Sequence, residues 1–442
     1  MRRLLSGPLT AFAATILSAV SVAAQTNIES NAGIQLDFVN PGARSLALGG
    51  AFVGLADDAT AAFTNPAGLR FISRKEVSVE GRLWSFATPY TSGGRLGGQA
   101  TMLGIDQTSA LTTADSRRST ASLSFLSLVY PIGRWAVAAY GQRLSDFTYG
   151  AMSQGPFLQL SSGDGRLFPY KAALEVSIAR YGVSGSYKIA NNASVGAGVY
   201  VYDFSMTSAT QRFDFSRLRP QFYAASTFSS SPVTQDTQQG SDTRVGANVG
   251  ISVTPDPHVE IGAVYRQGAH LQFTTTRTAA GSAAVTSPGT FSIPAVFSAG
   301  VSFHPTDPLK IMLDYSLVQY SQITDSFSLF FPPTAGFSAL PQDFKVDDGN
   351  EVHVGVEYVL LGISRPVAIR AGSWYDPDHS IRFEPANAQT ADPYDLAVFR
   401  RGKNVVHVTV GAGVVIGQIE INAAGDASSR TKTVSVSAVV RF

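Results

Sequence analysis

The sequence contains no cysteine. That removes disulfides, thiolate metal sites and cysteine nucleophiles together. Charge is also scarce: Asp, Glu, Lys and Arg make up 15% of the chain, against roughly 25% in soluble domains. The formal net charge of +1 gives no electrostatic reason to expect nucleic acid or an acidic polymer as partner. Past Gln25 no apolar run approaches the ~20 residues that a membrane-spanning helix requires. No GxSxG elbow occurs. The six histidines (His258, His270, His304, His353, His379, His407) show no HExxH or other metal-ligand spacing. The chain is therefore read as not an enzyme, with no cofactor and no metal.

What is present begins with an export signature. Arg2 and Arg3, the apolar stretch Leu9 to Val20 and the small residues Val22-Ala23-Ala24 predict a signal peptide over 1–24, cut near Ala24. Beyond it, period-two alternation dominates. Val434, Val436, Ala438, Val440 and Phe442 share one face, opposed by Ser435, Ser437 and Arg441. Val406, Val408 and Val410 oppose His407, Thr409 and Gly411. Val352, Val354 and Val356 oppose His353, Gly355 and Glu357. Ile311, Leu313 and Tyr315 oppose Lys310, Asp314 and Ser316. These strands read as about ten to twelve residues long, enough to cross a bilayer at a tilt.

Short Pro, Gly, Asn and Asp breaks at 131–133, 189–192, 255–257, 305–308, 361–365 and around Gly417 alternate with long polar stretches. The stretches are 147–170, 208–242, 276–292, 321–349 and 377–403. Outer-membrane barrels sort their loops this way, with short periplasmic turns and long external connections. Counting alternating runs gives about fifteen, but single-chain bacterial barrels use even numbers. A first strand over Lys75 to Phe86 and a first external loop over Ala87 to Arg118 restore parity. The expected fold is all-β: a transmembrane antiparallel β-barrel of about 14 strands in the bacterial outer membrane, surrounded by outer-membrane lipid. The domain plan is 1–24 signal peptide, 25–74 N-terminal hatch and 75–442 barrel. The terminal Phe442 strand resembles the signal by which barrel assembly machinery recognises its clients.

The segment before the first strand carries Gly49-Gly50, the paired acids Asp57-Asp58 and the turn Asn65-Pro66-Ala67-Gly68. Its apolar content (Leu46, Leu48, Phe52, Val53, Leu55, Phe63, Leu69) argues against a solvated tail. A barrel of this width needs filling, so the segment is expected to fold into the lumen as a plug.

Gly33-Ile34-Gln35-Leu36, Ala56-Asp57-Asp58-Ala59 and Asn65-Pro66-Ala67-Gly68-Leu69 resemble the N-terminal hatch of the FadL/TodX family of outer-membrane transporters for long-chain fatty acids and aromatic hydrocarbons. The resemblance continues through Trp135-Ala136-Val137, Ile293-Pro294 to Asp314-Tyr315, and Ile369-Arg370-Ala371-Gly372 to Tyr375-Asp376-Pro377. It implies passive uptake of a hydrophobic small molecule, hatch movement and a sideways exit into the membrane at a kinked strand. By that resemblance the Asn65-Pro66-Ala67 turn sits against the kink, the strand is Trp135 to Asp146, and Gly141 is its expected bend. Asp57, Asp58, Asn65, Pro66, Ala67 and Gly68 are the gating candidates, and Ile34, Leu36 and Phe38 the ligand candidates near the N-terminus. The chain departs from the family in carrying Gln25 to Asn31 before Ala32-Gly33, with Ile34 in place of an aromatic. Pro41 to Ser45 with Leu48-Gly49-Gly50 also resembles PorV-type barrels, which serve protein secretion and surface attachment, the alternative function.

Two groups carry competing readings. Asp57 and Asp58 either bind a cation or trigger hatch movement, or else they start a short helix and cap its free N–H groups. The loop aromatics Phe213, Phe215, Phe222 and Tyr223, with Phe327 to Phe331, either form a groove for apolar ligands or pack the loops on one another.

Overall fold

A computed structural model describes residues 25–442 apart from 37, 161–162, 215–222, 226–227, 229, 334–335 and 363. The expected export segment therefore lies outside the described residues, as do Phe215 and Phe222. Fourteen antiparallel strands close into a barrel. The first six are β1 (Glu76–Gly94), β2 (Leu111–Ile132), β3 (Trp135–Ser153), β4 (Tyr170–Ala190), β5 (Ala193–Arg212) and β6 (Thr234–Asp256). Two broken strands follow: β7 (Val259–Arg266, resuming as Ala269–Ala279) and β8 (Val285–Ile293, resuming as Val296–Thr306). The circuit continues with β9 (Leu309–Val318), β10 (Gly349–Leu360), β11 (Val367–Asp376), β12 (Val405–Ile416), β13 (Ile419–Ala427) and β14 (Thr431–Arg441). Pairing of β1 with β14, from Glu76↔Arg441 to Phe86↔Thr431, closes the ring.

The burial pattern is that of a membrane barrel. On β14, Val434 and Val436 are 54% and 52% exposed, whereas Ser435 and Ser437 are 0% and 4% exposed. A soluble sandwich buries the valines and exposes the serines. Here the apolar face points outward and the small polar face lines the lumen, the alternation of an outer-membrane barrel. The short turns fall where the breaker residues predict, with Gly133 (φ 62°) and Gly417 (φ 63°) in the left-handed conformation that two of them require.

The strands are longer than expected on one side. β2 has 22 residues and β6 has 23, while β9 to β14 stay between 9 and 12. Much of what read as external loop is strand: Ala87 pairs with Arg117, and Arg277 with Val285. The first external loop is consequently 95–110 rather than 87–118. These outer ends are rich in Thr and Ser, whose backbones satisfy one another across the ladder, and their inner face is buried although polar: Thr91, Thr210 and Gln238 are at most 3% exposed. The barrel thus has a tall wall over β1–β8 and a low one over β9–β14.

Two ladders are interrupted. Pairing of β2 with β3 stops at Phe125↔Gln142, although β2 continues on β1 to Leu111 and β3 continues on β4 to Ser153. A bulge at Leu144 shifts the β3–β4 register just past that point. Pairing of β6 with β7 stops at Asn248↔Arg266 and resumes at Gln239↔Thr274. From inside, the Tyr200 hydroxyl donates to Ala247 O (3.0 Å) and Gln267 O (2.8 Å), and Tyr202 to Gln267 O (2.8 Å).

Candidate functional site

The described residues before β1, from Gln25 on, fill the lumen. Leu46, Phe52, Leu55, Phe63 and Leu69 are all at most 2% exposed. Among the described residues only two short α-helices form there, α1 (Ala43–Ala47) and α2 (Ala61–Thr64), joined by turns. The run Ala56 to Phe63, helix-compatible in sequence, is helical only from Ala61. So irregular a segment leaves many carbonyls open, and buried carbonyls need partners. The barrel's small hydroxyls supply them: Ser127 donates to Ala59 O (3.1 Å), Ser184 to Ala62 O (2.6 Å), Ser194 to Ala67 O (2.8 Å) and Thr409 to Ala47 O (3.0 Å).

Glycines on the inner wall let the plug lie flush against the strand backbones. A Cβ on Gly355 of β10 would come within 2.6 Å of Leu48 O, and one on Gly262 of β7 within 2.8 Å of Asn65 Nδ2. Gly196, Gly300, Gly372 and Gly411 make the same kind of contact with Pro66, Gly54, Leu48 and Ala47. Together they form a belt that follows the inner wall from β5 to β12.

An ion network locks the plug to the low wall. Arg44 donates to Glu357 of β10 (2.9 and 2.8 Å) and to Asp57 (2.5 and 3.3 Å). Lys310 of β9 reaches Asp57 at 3.1 Å, and Arg370 of β11 reaches Glu357 at 2.6 Å. Burial acts to raise the Asp57 carboxyl, but Arg44 and Lys310 override it and hold the group well below the usual carboxylate range. Asp58 does a different job. Its Oδ1 accepts from the Thr60 backbone N–H (2.9 Å) and hydroxyl (2.6 Å), and burial pushes its carboxyl up. Asp57 is thus a full member of the ion network, and Asp58 is a turn-former ahead of α2 whose Oδ2 also lies 3.7 Å from Arg44.

The Asn65-Pro66-Ala67 turn does not face β3. Asn65 Nδ2 donates to Ile251 O of β6 and to Val53 O (3.1 Å each), its Oδ1 accepts from Ala67 N (3.2 Å), and Pro66 abuts Gly196 of β5. The turn is therefore seated two strands round the barrel from the expected kink. Gly68 packs on Ala56. Gly141 sits in unbroken β3, and the irregularity falls at Leu144, where β3 has lost β2 as its outer partner.

Beside that bulge lies an inner cavity of about 40 Å³ lined by Leu36, Trp84, Phe86, Arg143 to Phe147, Tyr320, Trp374 and His407, among others. That is small against the roughly 150 Å³ that accepts benzene in an engineered core, so this cavity is too small to hold even one aromatic ring as it stands. Above it, a cleft of about 530 Å³ lined by Tyr90, Tyr149, Tyr170, Val398, Arg400 and Arg401 reaches the outer face. Gly141, Leu123 and Tyr181 line a groove on the lipid side of the same place. Ile34 and Leu36 are buried in the main apolar cluster, and half-buried Phe38 packs on Tyr320 at 5.8 Å. Phe213 and Tyr223 are not on the cavity wall. Phe213 packs on Phe228 (5.2 Å), and Tyr223 stacks on Phe157 (5.4 Å), both within external loops.

The histidines make structural contacts. His353 Nδ1 lies 2.7 Å from Gly49 O of the hatch, and Trp374 stacks between His353 and His407 (5.4 and 3.9 Å). His379, in the loop after β11, stacks on Tyr320 (4.4 Å). Burial acts to depress its proton affinity, but Asp376, 3.3 Å away, lifts it to about 9. Among the described residues no cluster has the make-up of a metal site.

Sequence reasoning did not single out Arg44, Lys310, Glu357 or Arg370 as a unit. A signal existed, since Lys310 and Glu357 fall on the polar faces of their strands. The turns of the plug that bring Arg44 to them leave no periodic trace.

Residues 22–382 match the family described as outer membrane protein transport protein (OMPP1/FadL/TodX). No curated protein sequence matches. Among solved structures, the CymD monoaromatic hydrocarbon channel superposes with a TM-score of 0.57 at 16% identity, over 92% of this chain and 99% of that one. The P. putida toluene transporter TodX superposes with a TM-score of 0.54 at 14% identity, over the same shares.

Proposed function

The chain belongs to the outer membrane protein transport family (OMPP1/FadL/TodX), and from that premise we propose that it takes up long-chain fatty acids or aromatic hydrocarbons passively and releases them sideways into the membrane. It is an outer-membrane transport channel and not an enzyme. The observation that carries the reading is the interrupted β2–β3 ladder. The inner cavity lies against Arg143 to Phe147 on one side of it, and the lipid-side groove lies against Ala139 to Arg143 on the other. A hydrophobic solute following that line never has to be rehydrated, which is the costly step for apolar surface.

In this reading the outer cleft collects the solute, and Leu36 and its neighbours receive it once the plug yields locally. The plug yields beside β3, where the glycine belt does not reach, while the Arg44–Asp57 network holds it to β9–β11 on the far side and Asn65 holds it to β6. The terminal strand ending at Phe442 serves recognition by barrel assembly machinery, and outer-membrane lipid surrounds the apolar band. A PorV-like role in secretion has no comparable observation behind it.

The test is uptake of radiolabelled toluene and of a long-chain fatty acid by cells that lack their own transporter and express this chain. Deleting Leu144 removes the bulge and lets β3 regain β2. Uptake is expected to fall at least tenfold with the barrel still assembled. Undiminished uptake at equal surface level would sink the lateral route.

A further inference from the structure

The outside of the barrel carries its charge unevenly. Beside the seam of β1 and β14, on the side of the long connections, the exposed charges are cations: Arg400, Arg401 and Lys403 leading into β12, Lys432 on β14 and Arg117 on β2. The nearest acid on these strand faces is Asp115, 3.2 Å from Arg117 in a pair 43% and 79% exposed. Such a pair holds little. Arg401 leans on Glu384 at 3.5 Å, but Arg400, Lys403 and Lys432 have no ion pair among the described residues. Further round, the outward faces of β4 and β5 carry exposed acids instead, Glu175 and Asp203.

Register fixes the height of these cations. Val434 of β14, Leu83 of β1 and Ala121 of β2 form one outward row, in which the valine and the leucine are 54% and 47% exposed. Lys432, Ser85 and Ser119 form the next row, and Ala87 with Arg117 the one beyond. Apolar side chains therefore give way to cations within two rows. Strand spacing and rise put Lys432 and Arg117 on the order of 12 Å apart. On this side the wall is low: β12, β13 and β14 have 12, 9 and 11 residues, about what a tilted strand needs to cross the bilayer. Their outer ends lie at the surface of the leaflet, where exposed cations meet lipid head groups.

We propose that Lys432, Arg117 and Lys403 bind the phosphates of lipid A, the bis-phosphorylated glycolipid of the outer leaflet, with Arg400 beside them. Its acyl chains would lie along Val434, Leu83 and Val408. Cations near an anionic membrane surface attract it additively, and guanidinium and ammonium groups are the usual partners of phosphate. Lipid A carries a phosphate at each end of one disaccharide, so it suits cations held two strands apart better than a single phosphate does. The site is independent of the solute that the lumen takes.

The full chain in nonionic detergent is titrated by native mass spectrometry with bis-phosphorylated lipid A, dephosphorylated lipid A, phosphatidylglycerol and inorganic phosphate. The bis-phosphorylated form is expected to bind at least tenfold tighter than the dephosphorylated one. Replacing Arg117, Lys403 and Lys432 together by Gln should erase that preference. The same change at Arg74, Lys75 and Arg365, exposed on the periplasmic side, should leave it intact. All six side chains are exposed, so both variants are expected to assemble, which heat-modifiable gel mobility checks. Equal binding of the two lipid A forms would overturn the site, as would a preference that survives the outer substitutions or is lost equally with the periplasmic ones. Phosphatidylglycerol binding as tightly as bis-phosphorylated lipid A would reduce the patch to general attraction for anionic lipid and overturn the assignment. Displacement of lipid A by inorganic phosphate at equal concentration would assign the cations to a free anion and overturn it as well.

Discussion

Arg44 of the hatch and Glu357 of β10 meet through two hydrogen bonds of 2.9 and 2.8 Å, and both side chains are buried. The pair fastens the plug to the barrel wall. Removing Arg44 leaves Glu357 with Arg370 alone and Asp57 with Lys310 alone. The cost should fall below the roughly 3–5 kcal/mol of a buried charge left wholly unpaired, but this tie between plug and wall is lost. Arg44→Ala should therefore loosen the hatch, seen as larger or noisier single-channel conductance in planar bilayers. Conductance indistinguishable from wild type would show that the packing alone retains the plug.

Gly355→Val places side-chain atoms where Leu48 already lies, since a Cβ alone at this position would come within 2.6 Å of Leu48 O. Overpacking of this kind costs typically about 1–3 kcal/mol. Its outward neighbours on β10, Val354 and Val356, are untouched, so the barrel should still assemble. Proteolysis from the periplasmic side should then cut within 40–72 faster than in the wild type.

Replacing Asn65-Pro66-Ala67 by Gly-Ser-Gly removes the side-chain bonds to Ile251 O and Val53 O. Uptake should change while assembly stays normal. Because this turn rests on β5 and β6, hydrogen exchange should rise there and not along β3; a rise confined to β3 would contradict the packing described.

His379 holds its proton to about pH 9, against 6.5 for the ordinary imidazole. A group with a raised folded value stabilises fully below its unfolded value, and that contribution is lost as pH rises through the folded one. The loop over 377–404 should therefore resist proteolysis at about pH 6 and lose resistance by about pH 9.5. His379→Gln should flatten the profile. Asp57 runs the other way, since its lowered carboxyl contributes above 3.8 and loses that contribution only as pH falls below it.

Strand number and topology were legible because lipid on one side and a polar lumen on the other impose strict alternation, and because Gly and Pro mark the tight turns. Wall height was not. The outer halves of β5 and β6 bury polar residues on their inner face (Thr210, Asp236, Gln238) and carry polar ones such as Thr207 on the other, so no apolar stripe marks them as strand. Gly355 and Gly411 stood visibly on the small-or-polar faces of their strands. Their purpose depends on Leu48 and Ala47, some three hundred residues away. Asn65 was legible as a turn residue, but a turn motif carries no information about which way the plug is rotated inside the ring.

The belt of glycines also bears on how the molecule is made. A plug whose backbone touches strand backbones from β5 to β12 has no clearance to be threaded into a finished cylinder. It must be enclosed while the cylinder is still an open sheet, before the ring that β1 and β14 complete has closed. Plug packing and ring closure are then a single folding event. A substitution that keeps the plug from seating would register first as slow or failed barrel biogenesis, before any solute is offered to the cell.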